Sequence, residues 1–140
     1  MGQREMTTTT LSPVNASLLV AAGGAIGAVL RYQLGRTVSS LAGPGAAFPW
    51  GTLAANVIGS LAMGLLVGWL AKNGGTNEGL RLALGVGLLG GFTTFSAFSL
   101  EMMQLIERGQ AGLAVGYAGV AVLAGLAALW IGLAITRGAA

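Results

Sequence analysis

Gly90-Gly91-Phe92-Thr93-Thr94-Phe95-Ser96-Ala97-Phe98-Ser99-Leu100-Glu101 decides how this chain is read. Paired glycines, paired threonines, further hydroxyls and two phenylalanines three apart sit in the middle of an apolar segment. A helix that only had to lie in lipid has no use for them. Non-helical backbone at membrane depth is tolerated only where protein buries it or where it lines a cavity. This stretch is therefore the first candidate for function.

Outward from it the chain stays apolar. Of its 140 residues, 54% are hydrophobic and 8% charged, whereas soluble domains are about 25% charged. The fold class is all-α integral membrane. A span needs about 20 mainly apolar residues, so the length allows four transmembrane helices with short loops in one domain. The chain has no histidine and no cysteine. That removes the commonest general base, thiol nucleophiles, disulfides and most zinc sites. No nucleophile–base pair or metal cluster can be assembled from the rest, so no enzyme is expected. The net charge of +3 comes from scattered basic residues, not a patch, and no nucleic-acid partner is read from it.

Residues 1–13 form a polar N-terminal tail and residues 14–137 a four-helix transmembrane domain. Ser12-Pro13 fits a helix start, with a capping hydroxyl and then proline at the first helical position. The spans are expected at residues 14–40, 50–71, 79–106 and 111–135. The first is a mature helix rather than a signal peptide, because three more spans follow it. Trp50 and Trp69 mark the ends of the second, as interfacial aromatics do. Helix breakers at Gly43-Pro44-Gly45 and Asn73-Gly74-Gly75 supply loops, and Glu107-Arg108-Gly109 a tight turn. Glycines recur four apart at 23/27, 64/68, 87/91 and 112/116. In lipid such spacing lets helix backbones approach closely. Four spans place both termini on one side, with Arg4, Lys72, Arg81 and Arg137, and put Arg36 and Arg108 on the other. Positive charge near span ends sets orientation. A bias this weak fits either a single topology or insertion both ways.

Within the third span, the glycines at 90 and 91 and the threonines at 93 and 94 lower helix propensity. A break there would free carbonyls able to hold a small hard cation such as sodium, as discontinuous membrane helices do. The alternative is an unbroken helix with its glycines against a neighbour. Phe95 and Phe98 share a face. A ring is positive at its edge, so two ring edges beside the hydroxyls of Thr94, Ser96 and Ser99 suit a small anion. Conduction needs binding strong enough to enter and weak enough to leave. The simpler reading is two core phenylalanines. Thr52 and Asn56 form a polar stripe in the second span, either for interhelical hydrogen bonds or for an anion. Arg31 and Glu101 are ionisable residues in apolar stretches, which makes them functional candidates. They line a path, pair with each other or across subunits, or snorkel to an interface. Tyr117 is a polar handle in the fourth span or a packing residue.

Together these segments resemble the Fluc (CrcB) family of fluoride channels. The 90–101 motif carries most of the resemblance. Ala21-Ala22-Gly23-Gly24-Ala25-Ile26-Gly27-Ala28 with Arg31-Tyr32, and Gly51-Thr52-Leu53-Ala54-Ala55-Asn56, match in the expected order. The resemblance implies an antiparallel, dual-topology homodimer in the cytoplasmic (inner) membrane. It implies two fluoride pores and a structural Na+ at breaks in the third span on the dimer axis. Carried onto this chain, the backbone carbonyls of Gly90 and Thr93 would hold sodium. Phe95 and Phe98 would be the pore phenylalanines, Asn56 with Thr52 the polar pore residues, and Tyr117 part of a polar track. The resemblance also implies hydroxyls further along that track. Here the chain departs from it, with Ala121 and Gly125 one and two turns beyond Tyr117. A small multidrug exporter has the same size but calls for a carboxylate in the first span, where only Arg31 and Arg36 are ionisable. A non-transporting scaffold is the third reading.

Overall fold

The computed structural model describes residues 11–75 and 77–138. Of the polar tail expected at 1–13, residues 1–10 lie outside the described residues. Four helices are long and apolar enough to cross a membrane: α1 (Pro13–Ala42), α2 (Trp50–Lys72), α3 (Glu78–Glu107) and α4 (Ala111–Gly138). Among the described residues there is no strand. Helix α1 starts where the sequence places it. Ser12 Oγ accepts from Asn15 N at 3.2 Å, and Pro13 takes the first helical position. The turn after α3 closes on Gly109 at φ 75°. Gly109 N donates to Ile106 O and Gln110 N to Leu105 O, at 2.9 and 2.8 Å. Glycine suits this left-handed position because it has no Cβ to clash.

Helix α1 packs most extensively on α3, and α2 on α4. Glycine explains both contacts. A Cβ at Gly23 or Gly27 would collide with the Ala83 or Leu88 carbonyl oxygen, and one at Gly91 would meet Gly24 backbone. On the other pair, a Cβ at Gly64 would strike the Leu129 carbonyl and one at Gly132 the Leu61 carbonyl. Three of the four glycine recurrences are thus helix contacts. Gly112 and Gly116, by contrast, have nothing within 4 Å of where a Cβ would stand.

The core is thin. Tyr117 is the largest fully buried side chain among the described residues, while Val14, Leu41, Leu123 and Trp130 point outward with over 60% of their surface exposed. An apolar exterior around so small an interior fits lipid as solvent.

Helix α3 changes winding along its length. Residues Arg81–Leu89 form a π-helix containing Gly85 and Gly87. Such wide turns are rare and cluster at functional sites. Gly90–Phe92 are α-helical, Thr93 is extended at φ −86° and ψ 159°, and helix resumes over Ser96–Glu107.

The glycine contacts set an expectation for stability. Gly27→Val should destabilise the detergent-solubilised protein by about 1–3 kcal/mol or more, the usual cost of overpacking. Gly112→Ala should stay within about 0.5 kcal/mol of wild type, as open positions do. Thermal unfolding of both variants checks this.

Candidate functional site

The non-helical residues of α3 are held from α2. Asn56 Nδ2 donates to the Thr94 carbonyl at 2.9 Å, and Thr94 N donates back to Asn56 Oδ1 at 2.8 Å. One amide side chain thus pairs with both backbone groups of one residue. Thr94 Oγ1 accepts from Ala97 N at 3.2 Å and starts the next helical segment. The same oxygen lies 3.4 Å from Ser96 Oγ. Thr93 Oγ1 donates to the Leu89 carbonyl at 2.9 Å.

These bonds redirect two donors. In a continuous helix the Thr94 N–H would serve the Gly90 carbonyl, and the Ala97 N–H the Thr93 carbonyl. Here the first goes to Asn56 and the second to Thr94 Oγ1. From the opposite side, Arg31 Nε donates to the Gly91 carbonyl at 3.2 Å.

A second cluster forms where α3 passes between α2 and α4. Glu101 Oε1 accepts from Thr52 Oγ1 at 2.6 Å, and Oε2 accepts from Tyr117 OH at 2.8 Å. Tyr117 is fully buried with Leu53, Leu105 and Ala114. Its ring lies 5.0 Å from Phe98 and 5.3 Å from Phe48. The Phe98 ring in turn lies 5.8 Å from that of Phe95, which is 79% exposed. Arg31, Thr52 and Glu101 open onto one cavity of about 710 Å³, shared with Arg36, Gln104 and Arg108.

The structure therefore brings Thr52, Glu101, Tyr117 and Phe98 together, and places Asn56 with Thr94 and Ser96. Two of the candidates take partners that the sequence left open. Glu101 takes its hydrogen bonds from two hydroxyls and Arg31 gives its own to a carbonyl, so neither bond is the Arg31–Glu101 pair raised from sequence. Ser99 Oγ donates to the Phe95 carbonyl at 2.9 Å, so it serves its own helix. Sequence reasoning missed Phe48, a loop residue whose ring meets Tyr117 edge-on at 76°. No periodicity could have found it among the glycines and prolines around it. Among the described residues no cluster of three or more acidic side chains could hold a metal; the oxygens on offer here are carbonyls.

Four apolar spans around a non-helical, hydroxyl-lined stretch define a multi-pass membrane protein with a site at mid-span. The chain belongs to the CrcB family, whose model, described as CrcB-like protein, Camphor Resistance (CrcB), matches residues 18–133. A Novosphingobium aromaticivorans protein named fluoride-specific ion channel FluC is 60% identical over 127 residues, covering 91% of this chain and all of that one. Proteins of the same name from Erythrobacter litoralis and Caulobacter vibrioides are 53% and 49% identical, each covering about nine tenths or more of both chains. The family is one of channels, not enzymes.

The Asn56 clamp is open to test. Asn56→Leu removes the partners of two backbone groups and should cost about 1–3 kcal/mol for each group left unpaired. A thermal unfolding curve matching wild type would show that Thr94 does not depend on Asn56.

Proposed function

We propose that this protein is a fluoride-selective passive channel that exports fluoride across the cytoplasmic membrane and so confers fluoride resistance. The observation that carries the reading is the 60% identity, over nine tenths of the chain, to a protein named for that activity. The geometry supports it. Thr52 and Tyr117 present two hydroxyl donors side by side on one carboxylate. A small anion that uses those donors must take the place of the Glu101 oxygens. The Phe98 ring lies next to them and Phe95 beside Phe98. Ring edges attract an anion without the strong hold of a full charge, as rapid passage requires. Ser96 and Thr94 add hydroxyls at the start of the same helical segment. Arg31 and the cavity it lines form the electropositive approach.

The assembly belongs to the same proposal. Two copies pack antiparallel through their third spans and form two pores. Phe95, with most of its surface exposed on one chain, is then covered by the second. A structural sodium fits the donor set, because the Gly90 and Thr93 carbonyls have lost their usual helical N–H partners. The break in α3 would thus supply two carbonyls from each copy. A bound sodium would neutralise their converging negative ends.

Fluoride efflux from liposomes, with chloride as control, tests the function. Wild type should release fluoride and retain chloride. Phe95→Ile and Phe98→Ile should each slow fluoride by about tenfold or more, the effect of ~1.4 kcal/mol of added barrier. Unchanged efflux in both variants would remove the rings from the path.

Topology has its own test, since the chain has no native cysteine. A single cysteine at Gly45→Cys lies in the loop between α1 and α2, where nothing is within 4 Å. Dual insertion predicts that an impermeant thiol reagent labels about half the copies in sealed vesicles; a fixed topology predicts all or none.

A further inference from the structure

Helices α2 and α4 run in parallel and in register. The same sequence offset separates Thr52 from Tyr117, Ser60 from Gly125 and Gly64 from Leu129, and each pair meets in space. Thr52 and Tyr117 share the Glu101 carboxylate. Ser60 Oγ lies 3.6 Å from where a Cβ on Gly125 would stand, and a Cβ on Gly64 would strike the Leu129 carbonyl. Two stripes therefore run side by side over about 12 Å, the rise of eight helical residues. On α4 the stripe is Tyr117, Ala121 and Gly125, polar only at its first position. On α2 it is Thr52, Asn56 and Ser60, polar at all three.

The three α2 residues differ in how they are occupied. Thr52 gives its proton to Glu101, and Asn56 binds both backbone groups of Thr94. Ser60 is half-buried, and its hydroxyl forms no hydrogen bond among the described residues. Five other helix hydroxyls behave differently; Ser39, which also forms no hydrogen bond among the described residues, is exposed near the end of α1. Ser17, Thr37, Ser40, Ser99 and Thr136 each return the proton to a carbonyl three or four residues back. A hydroxyl without a partner at membrane depth is costly. Gly125 opposite leaves the space beside it unfilled by any side chain.

We propose that Ser60 Oγ is an anion-contacting position, and that beyond Tyr117 the polar path is carried by α2 in place of α4. The ligand is a small, strongly hydrated monovalent anion, which takes the hydroxyl proton as one of the donors that replace its water. The proposal rests on the reading of the chain as a fluoride channel.

The test moves the hydroxyl across the helix pair. Fluoride efflux is measured for wild type, Ser60→Ala, and Ser60→Ala combined with Gly125→Ser, each reconstituted in liposomes. The space at Gly125 accepts a Cβ at ordinary van der Waals distance from residue 60, so the double variant keeps the packing. Ser60→Ala should slow efflux by about tenfold, the factor for one lost contact of ~1.4 kcal/mol in the path. The double variant should return to within about twofold of wild type. Thermal unfolding should be alike in all three, because no hydrogen bond is broken. Wild-type efflux in Ser60→Ala overturns the proposal. Slow efflux that Gly125→Ser leaves unrescued overturns it also, because the serine then acts through packing on α2. A wild type that passes no fluoride at all fails the channel reading itself, and this proposal with it.

Discussion

The reciprocal hydrogen bonds between Asn56 and Thr94 are the constraint on which the site depends. Backbone that leaves the helix inside a membrane needs other partners, because lipid offers none. A primary amide has a donor and an acceptor on one planar group and so replaces both with a single side chain. Once Thr94 is held this way, α3 can stop at Phe92 and restart at Ser96. That restart fixes the direction of everything after it. Phe98 turns toward Tyr117, Phe95 turns away from the bundle, and Glu101 arrives between α2 and α4. A continuous helix through 93–95 would rotate all three.

The two ionisable residues of the site, Arg31 and Glu101, are handled by neutral partners. Glu101 lies against two hydroxyls, and Arg31 against one carbonyl. A buried ion pair gains Coulomb energy but holds its charges to each other. Hydroxyl donors satisfy a carboxylate and remain exchangeable, since a hydroxyl can turn to a new acceptor without leaving a bare opposite charge behind. Arg31 works differently. It satisfies the Gly91 carbonyl from the α1 side, at the edge of the cavity it lines.

Much of this was legible in the sequence. Composition gave the membrane class, and breakers gave four spans with nearly correct ends. Gly23/Gly27 and Gly87/Gly91 announced close approach by spacing alone, yet spacing could not say which pair met which. Gly112/Gly116 shows the same pattern with no neighbour at all. For Asn56 the helical period placed the residue inside the bundle. Its partner was hidden, because Thr94 is reached only after the chain leaves the helix. Glu101 was singled out as an ionisable residue in an apolar stretch, but its partners depend on the register between α2 and α4. That register arises from Gly64 and Gly132 fitting carbonyls of the facing helix, a tertiary fit with no local signature. Phe48 gave no signal, since a loop phenylalanine has no period to belong to.

The pairing of α1 with α3 and of α2 with α4 bears on how the chain is made. No span has its main partner next to it in sequence. When α1 and α2 enter the bilayer during synthesis, the glycine faces of both remain against lipid until the third and fourth spans emerge from the ribosome. Arg31 waits too, because the carbonyl it binds belongs to Gly91. The Asn56 amide must likewise remain unpaired or hydrated until residue 94 is in place. Insertion and packing are therefore separate stages for this molecule. Truncation after α2 leaves two spans without their principal contacts, a species exposed to quality-control proteases before the channel-forming stretch is ever translated.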